Sequence, residues 1–157
     1  MLHTVSVLVE NKPGVLARIS GLFSARGYNI TSLAVGETDD PSVSCMTIVV
    51  DAKDEKILEQ IIKQLHRLID TVSVVDLTKK DYLGRELILV KVACKKEDRE
   101  KIKKLMEKFH AKIDETKPAS VVVEASLDKK EIEDLLKALK PFGIKELVRS
   151  GRIAIER

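Results

Sequence analysis

The chain is nearly devoid of asparagine, has no tryptophan and is poor in other aromatics, with two Asn, three Phe and two Tyr among 157 residues. A core must therefore be assembled from Val, Ile and Leu. The same shortage weighs against single-strand RNA readers, which present aromatics on their central strands to stack bases; the corresponding segments here carry Ser, Thr, Val and Cys. No run approaches the roughly 18 apolar residues of a membrane span. A basic segment followed by an apolar stretch, the mark of a secretory signal, is not seen at the N-terminus. The two cysteines, Cys45 and Cys94, are far apart and fit neither a CxxC pair nor a disulfide framework. The expectation is a cytoplasmic protein with reduced, buried thiols.

Catalytic signatures are missing as well. His3, His66 and His110 are isolated from one another and from either cysteine, and no HxxxH, HExxH or Cys cluster offers metal-ligand spacing. There is no GxSxG and no P-loop, and Gly14, Gly21 and Gly27 do not compose GxGxxG. Carboxylates are abundant, but most sit on lysine-rich helical stretches where i to i+4 pairing accounts for them. The net charge is only +3, and Lys95-Lys96, Lys103-Lys104 and Lys129-Lys130 all lie close to acids. They read as solvated helix faces rather than a phosphate-binding stripe. Neither enzyme activity nor nucleic-acid binding gains support.

What the chain does have is Lys and Glu in abundance and few amides, the composition that heat selects, which points to a thermophilic source. The two asparagines it keeps flank one predicted helix. Asn11 closes a strand before Pro13-Gly14, and Asn29 stands where that helix hands over to the next strand. Asn favours turns and left-handed positions on its own account. Taken with the glycines, the pair favours a small-ligand site.

Residues 4–9 alternate as a strand, with Val5, Val7 and Val9 on one face. From Gly14 the spacing becomes helical through Val15, Ile19, Leu22 and Phe23, with Gly27 a suitable terminator. Residues 30–36 and 43–50 are β-rich and joined by the turn chemistry of Glu37 to Pro41. Ile57 to Leu68 marks a second helix and Val72 to Leu77 a fourth strand. Strand, helix, strand, strand, helix, strand is the ferredoxin-like order. The pattern then repeats: a strand over Glu86–Ala93, a helix through Ile102, Leu105, Met106 and Phe109, and strands at Lys112–Thr116 and Ser120–Ala125 around Lys117-Pro118-Ala119. Asp128 with Glu131 forms a capping box for a helix through Leu139, and strands follow at Ile144–Val148 and Ile153–Ile155. The expected fold is α+β, two ferredoxin-like modules, each an antiparallel sheet with helices on one face. They divide as residues 1–78, a linker at 79–85, and residues 86–157. A module this small buries only about 60% of its unfolded surface and leaves sheet edges unpaired, so a homodimer is expected.

The Asn-Lys-Pro-Gly loop has a physical use. The first backbone N–H groups of the helix opened by Pro13-Gly14 lack partners within the helix, and its positive end receives carboxylates. Asn11 offers both a donor and an acceptor, so its side chain can take an ammonium or N–H at its oxygen, while Asn29 satisfies the other end of a ligand and Val15, Leu16 and Ile30 wall a small aliphatic pocket. A zwitterion with a short apolar side chain fits. The plainer alternative is that Pro-Gly merely starts a helix and Val15 and Leu16 are core.

At these residues the sequence resembles the amino-acid-binding ACT domain, and more closely the small regulatory subunits of acetolactate synthase (acetohydroxyacid synthase). The resemblance is carried by Ser6 to Asn11, Pro13 to Leu16, Gly21 to Ser24, Arg26 to Ile30, Thr38 to Pro41, Met46 to Ile48, Leu58 to Ile61 and Lys63 to Leu65. In the second module Arg85-Glu86-Leu87 and Arg149-Ser150-Gly151-Arg152 continue it. It implies a non-catalytic partner of a large subunit that carries thiamine diphosphate, FAD and Mg²⁺ and makes acetolactate on the route to valine, leucine and isoleucine. It further implies feedback inhibition by valine or a related branched-chain amino acid bound between two N-terminal modules. By matching position, Asn11, Gly14, Val15 and Leu16 would come from one chain, and Asn29 and Ile30 from its partner. Cys94-Lys95-Lys96-Glu97 replaces the anchor loop in the second module, for which docking or activation of the large subunit is the expected role. A rival is an amino-acid-responsive ACT regulator of another enzyme or of transcription, although no helix-turn-helix is visible.

Overall fold

The computed structural model describes residues 1–117 and 119–157, 115–117 in their main chain only; Pro118, in the expected turn after the sixth strand, lies outside the described residues. The chain divides into two units, Met1–Gly84 with Arg152–Arg157, and Arg85–Gly151.

The first unit contains β1 (Leu2–Glu10), α1 (Val15–Ala25), β2 (Asn29–Glu37), β3 (Val43–Asp51), α2 (Glu55–His66) and β4 (Thr71–Asp76). The strands lie in the order β2-β3-β1-β4, all antiparallel. Alternation puts Val5, Val7 and Val9 of β1 and Met46, Ile48 and Val50 of β3 into one core with Val15, Ile19 and Phe23 of α1 and Leu58, Ile61 and Leu65 of α2. The helices thus cover a single face. Asp54 caps α2, its Oδ1 accepting the Ile57 N–H at 2.9 Å.

The second unit repeats the order with β5 (Tyr82–Ala93, of which Arg85 onward lies in this unit), α3 (Arg99–Lys108), β6 (Lys112–Lys117), β7 (Ser120–Leu127), α4 (Lys129–Leu139) and β8 (Ile144–Arg149). Its strand order is β6-β7-β5-β8. The capping box of α4 is formed at both ends: Glu131 N–H donates to Asp128 Oδ1 at 2.8 Å, and Asp128 N–H to Glu131 Oε2 at 2.9 Å. Ile88, Val90 and Val92 meet Ile102, Met106, Ile132 and Leu135 in a separate core. The double ferredoxin-like, ACT-type architecture read from the sequence is the observed one.

Two boundaries differ from the sequence reading. Strand β5 already begins at Tyr82, inside the stretch read as a linker, because it has a partner: β9 (Ile153–Glu156) pairs with β5, and Arg157 N–H donates to the Asp81 carbonyl at 3.1 Å. That same pairing takes Arg152–Arg157 into the first unit. Local periodicity registers a short strand here but carries no trace of its distant partner.

Candidate effector site

The β1–α1 turn is built around Gly14, which is the N-cap of α1 with φ 86°. Left-handed backbone there suits Gly, and it leaves the helix start without a side-chain cap and without an acid in its first turn. Arg18 stands one turn on, with Nη1 3.9 Å from where a Cβ on Gly14 would lie. Its Nε donates to Asp70 Oδ2 at 2.8 Å, and Asp70 is buried. A guanidinium is thereby fixed beside the positive end of a helix, a setting for an anion. The sequence reading did not single out Arg18 or Asp70. The available signal was an acid placed just before β4, too slight to name its partner 52 residues away.

Asn11 fastens this turn to the β2–β3 hairpin. Its Nδ2 donates to Glu37 Oε1 at 3.0 Å and to the Pro41 carbonyl at 2.9 Å, while its backbone N–H donates to the Ser42 carbonyl at 2.7 Å. With both amide protons spent, Oδ1 of this exposed residue accepts from no protein donor among the described residues, an acceptor suited to an ammonium. The hairpin is ordered by Asp40, whose Oδ1 accepts from the Ser42 N–H at 2.9 Å and the Ser42 hydroxyl at 2.7 Å. These bonds hold the Asp40 carboxyl below its ordinary value. Next to Asn11, Lys12 Nζ donates to Glu10 Oε2 at 2.6 Å, which raises the Lys12 ammonium above its ordinary value.

The remaining site residues divide by burial. Val15 is buried in the helix-facing core, whereas Leu16 is 44% exposed, so it is Leu16 whose side chain is free to meet a ligand. Ile30 is half-buried against the core and Asn29 is exposed. Within one chain, Asn29 and Ile30 are far from the anchor turn. Glu10, just before Asn11, pairs with Val43 at the start of β3, while Asn29 pairs with Asp51 at its end. Eight residues of strand separate the two ends, about 27 Å.

Among the described residues, no group of three or more His, Cys, Asp or Glu is placed to hold a metal, and no helix is long and apolar enough to cross a membrane.

Residues 5–73 match the family model of the AHAS small subunit-like ACT domain, and residues 85–157 that of the small subunit of acetolactate synthase. The chain is 47% identical to the acetolactate synthase small subunit of Mycobacterium leprae, over 99% of this chain and 91% of that one. It is 46% identical to that of Mycobacterium bovis, over 99% and 92%. The crystal structure of the acetolactate synthase small subunit from Thermotoga maritima superposes with a TM-score of 0.90 at 35% identity, covering 100% of this chain and 98% of that one. The family matches of both units, with 47% identity along 99% of the chain, place this chain in the acetolactate synthase small-subunit family.

Proposed function

We propose that this chain is the non-catalytic regulatory subunit of an acetolactate synthase, and that a pair of its first units binds a branched-chain amino acid, valine foremost, for feedback inhibition. The observation that supports this reading is that Asn29 and Glu37, the latter bonded to Asn11, lie at opposite ends of one strand. β2 lies at the edge of its sheet. An antiparallel pairing of β2 with the β2 of a second copy sets Asn29 of one chain opposite Glu37 of the other, and Glu37 is the residue that holds Asn11. Each of the two equivalent sites then contains Asn11, Gly14 and Leu16 from one copy and Asn29 and Ile30 from its partner, with Val15 supporting the turn from within the core. Such a symmetric contact also removes an unpaired edge.

The chemistry follows from these groups. The effector carboxylate lies at the uncapped start of α1 near Arg18, its ammonium donates to Asn11 Oδ1, and the aliphatic side chain meets Leu16 and Ile30. One methylene in such a pocket is worth roughly 1 to 3 kcal/mol, which ranks valine, leucine and isoleucine by depth. Thiamine diphosphate, FAD and Mg²⁺ belong to the catalytic large subunit, and this chain contributes activation and the inhibitory response. The second unit lacks an Asn-x-Pro-Gly turn and is assigned to docking and activating that partner. Inhibition then requires only that the effector favour one arrangement of the paired units over another.

Calorimetric titration of valine into the purified chain, with leucine and isoleucine in parallel, tests the reading. One effector per chain is the expected stoichiometry; no heat from any of the three would overturn the effector assignment.

A further inference from the structure

Of the Arg149-Ser150-Gly151-Arg152 segment, the second unit absorbs the first two residues. Arg149 forms a two-pronged ion pair with Glu86, at 2.8 and 2.6 Å, and Ser150 Oγ accepts the Leu87 N–H at 3.1 Å. Arg152 belongs instead to the first unit. Its backbone N–H donates to Ser32 Oγ at 2.9 Å, and its Nη1 donates to Thr4 Oγ1 at 3.0 Å and lies 3.5 Å from the Tyr82 hydroxyl.

The register explains why one residue reaches both Ser32 and Thr4. Ser32 of β2 and Thr4 of β1 pair with the same residue of β3, Val49, from its two sides. Ser32, Val49 and Thr4 therefore form a row across three strands, about 10 Å from end to end. Val49 is outside the helix-facing core, yet it is only 2% exposed. Arg152 fastens β2 to β1 over the sheet face opposite the helices. Gly84 keeps the path clear, since a Cβ there would lie 3.6 Å from Arg152 Cδ and 3.1 Å from Tyr82 Cε2. Further along, Lys80 Nζ donates to Glu156 Oε2 at 2.8 Å and Arg157 N–H to the Asp81 carbonyl at 3.1 Å.

We propose that Arg152–Arg157 is the element that registers effector occupancy, with Arg152 as the positioning residue that reads the state of β2. This rests on the assignment of Asn29 and Ile30 to the effector site. The β2–β3 register shifts between Ile30 and Ser32. A bulge of this kind changes where the following side chains aim, and the first paired residue beyond it is Ser32, the acceptor of the Arg152 N–H. An effector that holds Asn29 and Ile30 selects one setting of the bulge. A bond to Ser32 that is better made in that setting links effector binding to the stability of the C-terminal segment. Only Ser150 and Gly151 separate Arg152 from Arg149 and its ion pair with Glu86.

Hydrogen exchange over Ile153–Arg157, measured on the full chain with and without valine and paired with calorimetry on the same samples, tests this. Valine is expected to slow exchange in the segment by at least about fivefold. Ser32→Ala is expected to bind valine about fivefold more weakly than the parent, the reciprocal of the same coupling, while losing that slowing, and Ser32→Thr, which keeps a hydroxyl, to restore both. Valine bound by the parent with exchange unchanged would overturn the inference and leave the effector assignment standing. Loss of binding by Ser32→Ala would also overturn it, because a reader must be separable from the site it reads. Absence of valine binding by the parent would overturn the effector assignment, and this inference with it.

Discussion

Asn11 and Asn29, the two asparagines of the chain, stand at opposite ends of one sheet. Asn11 follows Glu10, which pairs with Val43, whereas Asn29 pairs with Asp51, eight residues further along β3. No ligand the size of an amino acid touches both within one chain; in the edge-to-edge pair proposed above, symmetry would bring them together across copies. The predictions below follow from that relationship and from the bonds that hold each end.

Gly14→Asp places a carboxylate where the effector's own would lie. A Cβ at Gly14 meets only Arg18 Nη1, at 3.9 Å, so there is no clash. The left-handed backbone costs about 1 kcal/mol for a non-glycine residue. The expected result is a folded protein, slightly less stable by thermal melting, with no valine heat at concentrations that saturate the parent. Unfolding of the variant, or binding like the parent's, would show that the anchor is misassigned.

Asn11→Ala removes two donations to the hairpin and the proposed acceptor for the effector ammonium. Both lost bonds are exposed, so the stability cost is about 1 kcal/mol. The loss of a bond to a charged group weakens valine binding by about 10- to 100-fold. Denaturant melting and calorimetry separate the two effects; a stability loss with unchanged affinity would remove Asn11 from the site.

Glu86 is buried and its partner Arg149 is partly exposed, with side-chain exposures of 11% and 44%. Glu86→Ala is therefore expected to cost about 1 to 2 kcal/mol, below the roughly 3 to 5 of a fully buried pair. The loss belongs to the second unit. Hydrogen exchange should rise in β5 and β8, while valine affinity at the first unit stays the same. A change in affinity instead would contradict the assignment of the two units.

Acid acts on the hairpin through Asp40. Its carboxyl is held below the ordinary 3.8 by the Ser42 hydroxyl and then by the Ser42 N–H. A depressed native value means the contribution is fully present above the unfolded value and is lost as pH falls through the native one. Protection of the Ser42 amide should therefore hold steady at pH values above 3.8 and decline only below it, and Asp40→Ala should remove that dependence. A decline already complete above that value would contradict the sign.

Much of this was legible in the sequence for local reasons. The alternation of Val5, Val7 and Val9, the Asp128–Glu131 box and the Gly27 terminator each fix structure within a few residues, and the double ferredoxin-like order follows. What escaped depends on partners distant in the chain. Tyr82 begins a strand only because β9 returns to it, and Arg152 acquires meaning only when register brings Ser32 and Thr4 into one row. In the site, spacing marked Asn11 and Gly14, but it could not tell that Val15 turns into the core while Leu16 faces out, nor that Arg18 is pinned beside Gly14 by Asp70.

Complementation between two disabled chains tests the shared site most directly. Asn11→Ala and Asn29→Ala are each prepared alone and then mixed, with exchange of copies, and titrated with valine. In a mixed pair, one site carries both substitutions and the other carries neither. The account predicts that each variant alone binds weakly and that the mixture regains parental affinity at one site per mixed pair. A mixture no better than its components, or undiminished binding by either variant alone, would contradict a site built from Asn11 of one copy and Asn29 of another.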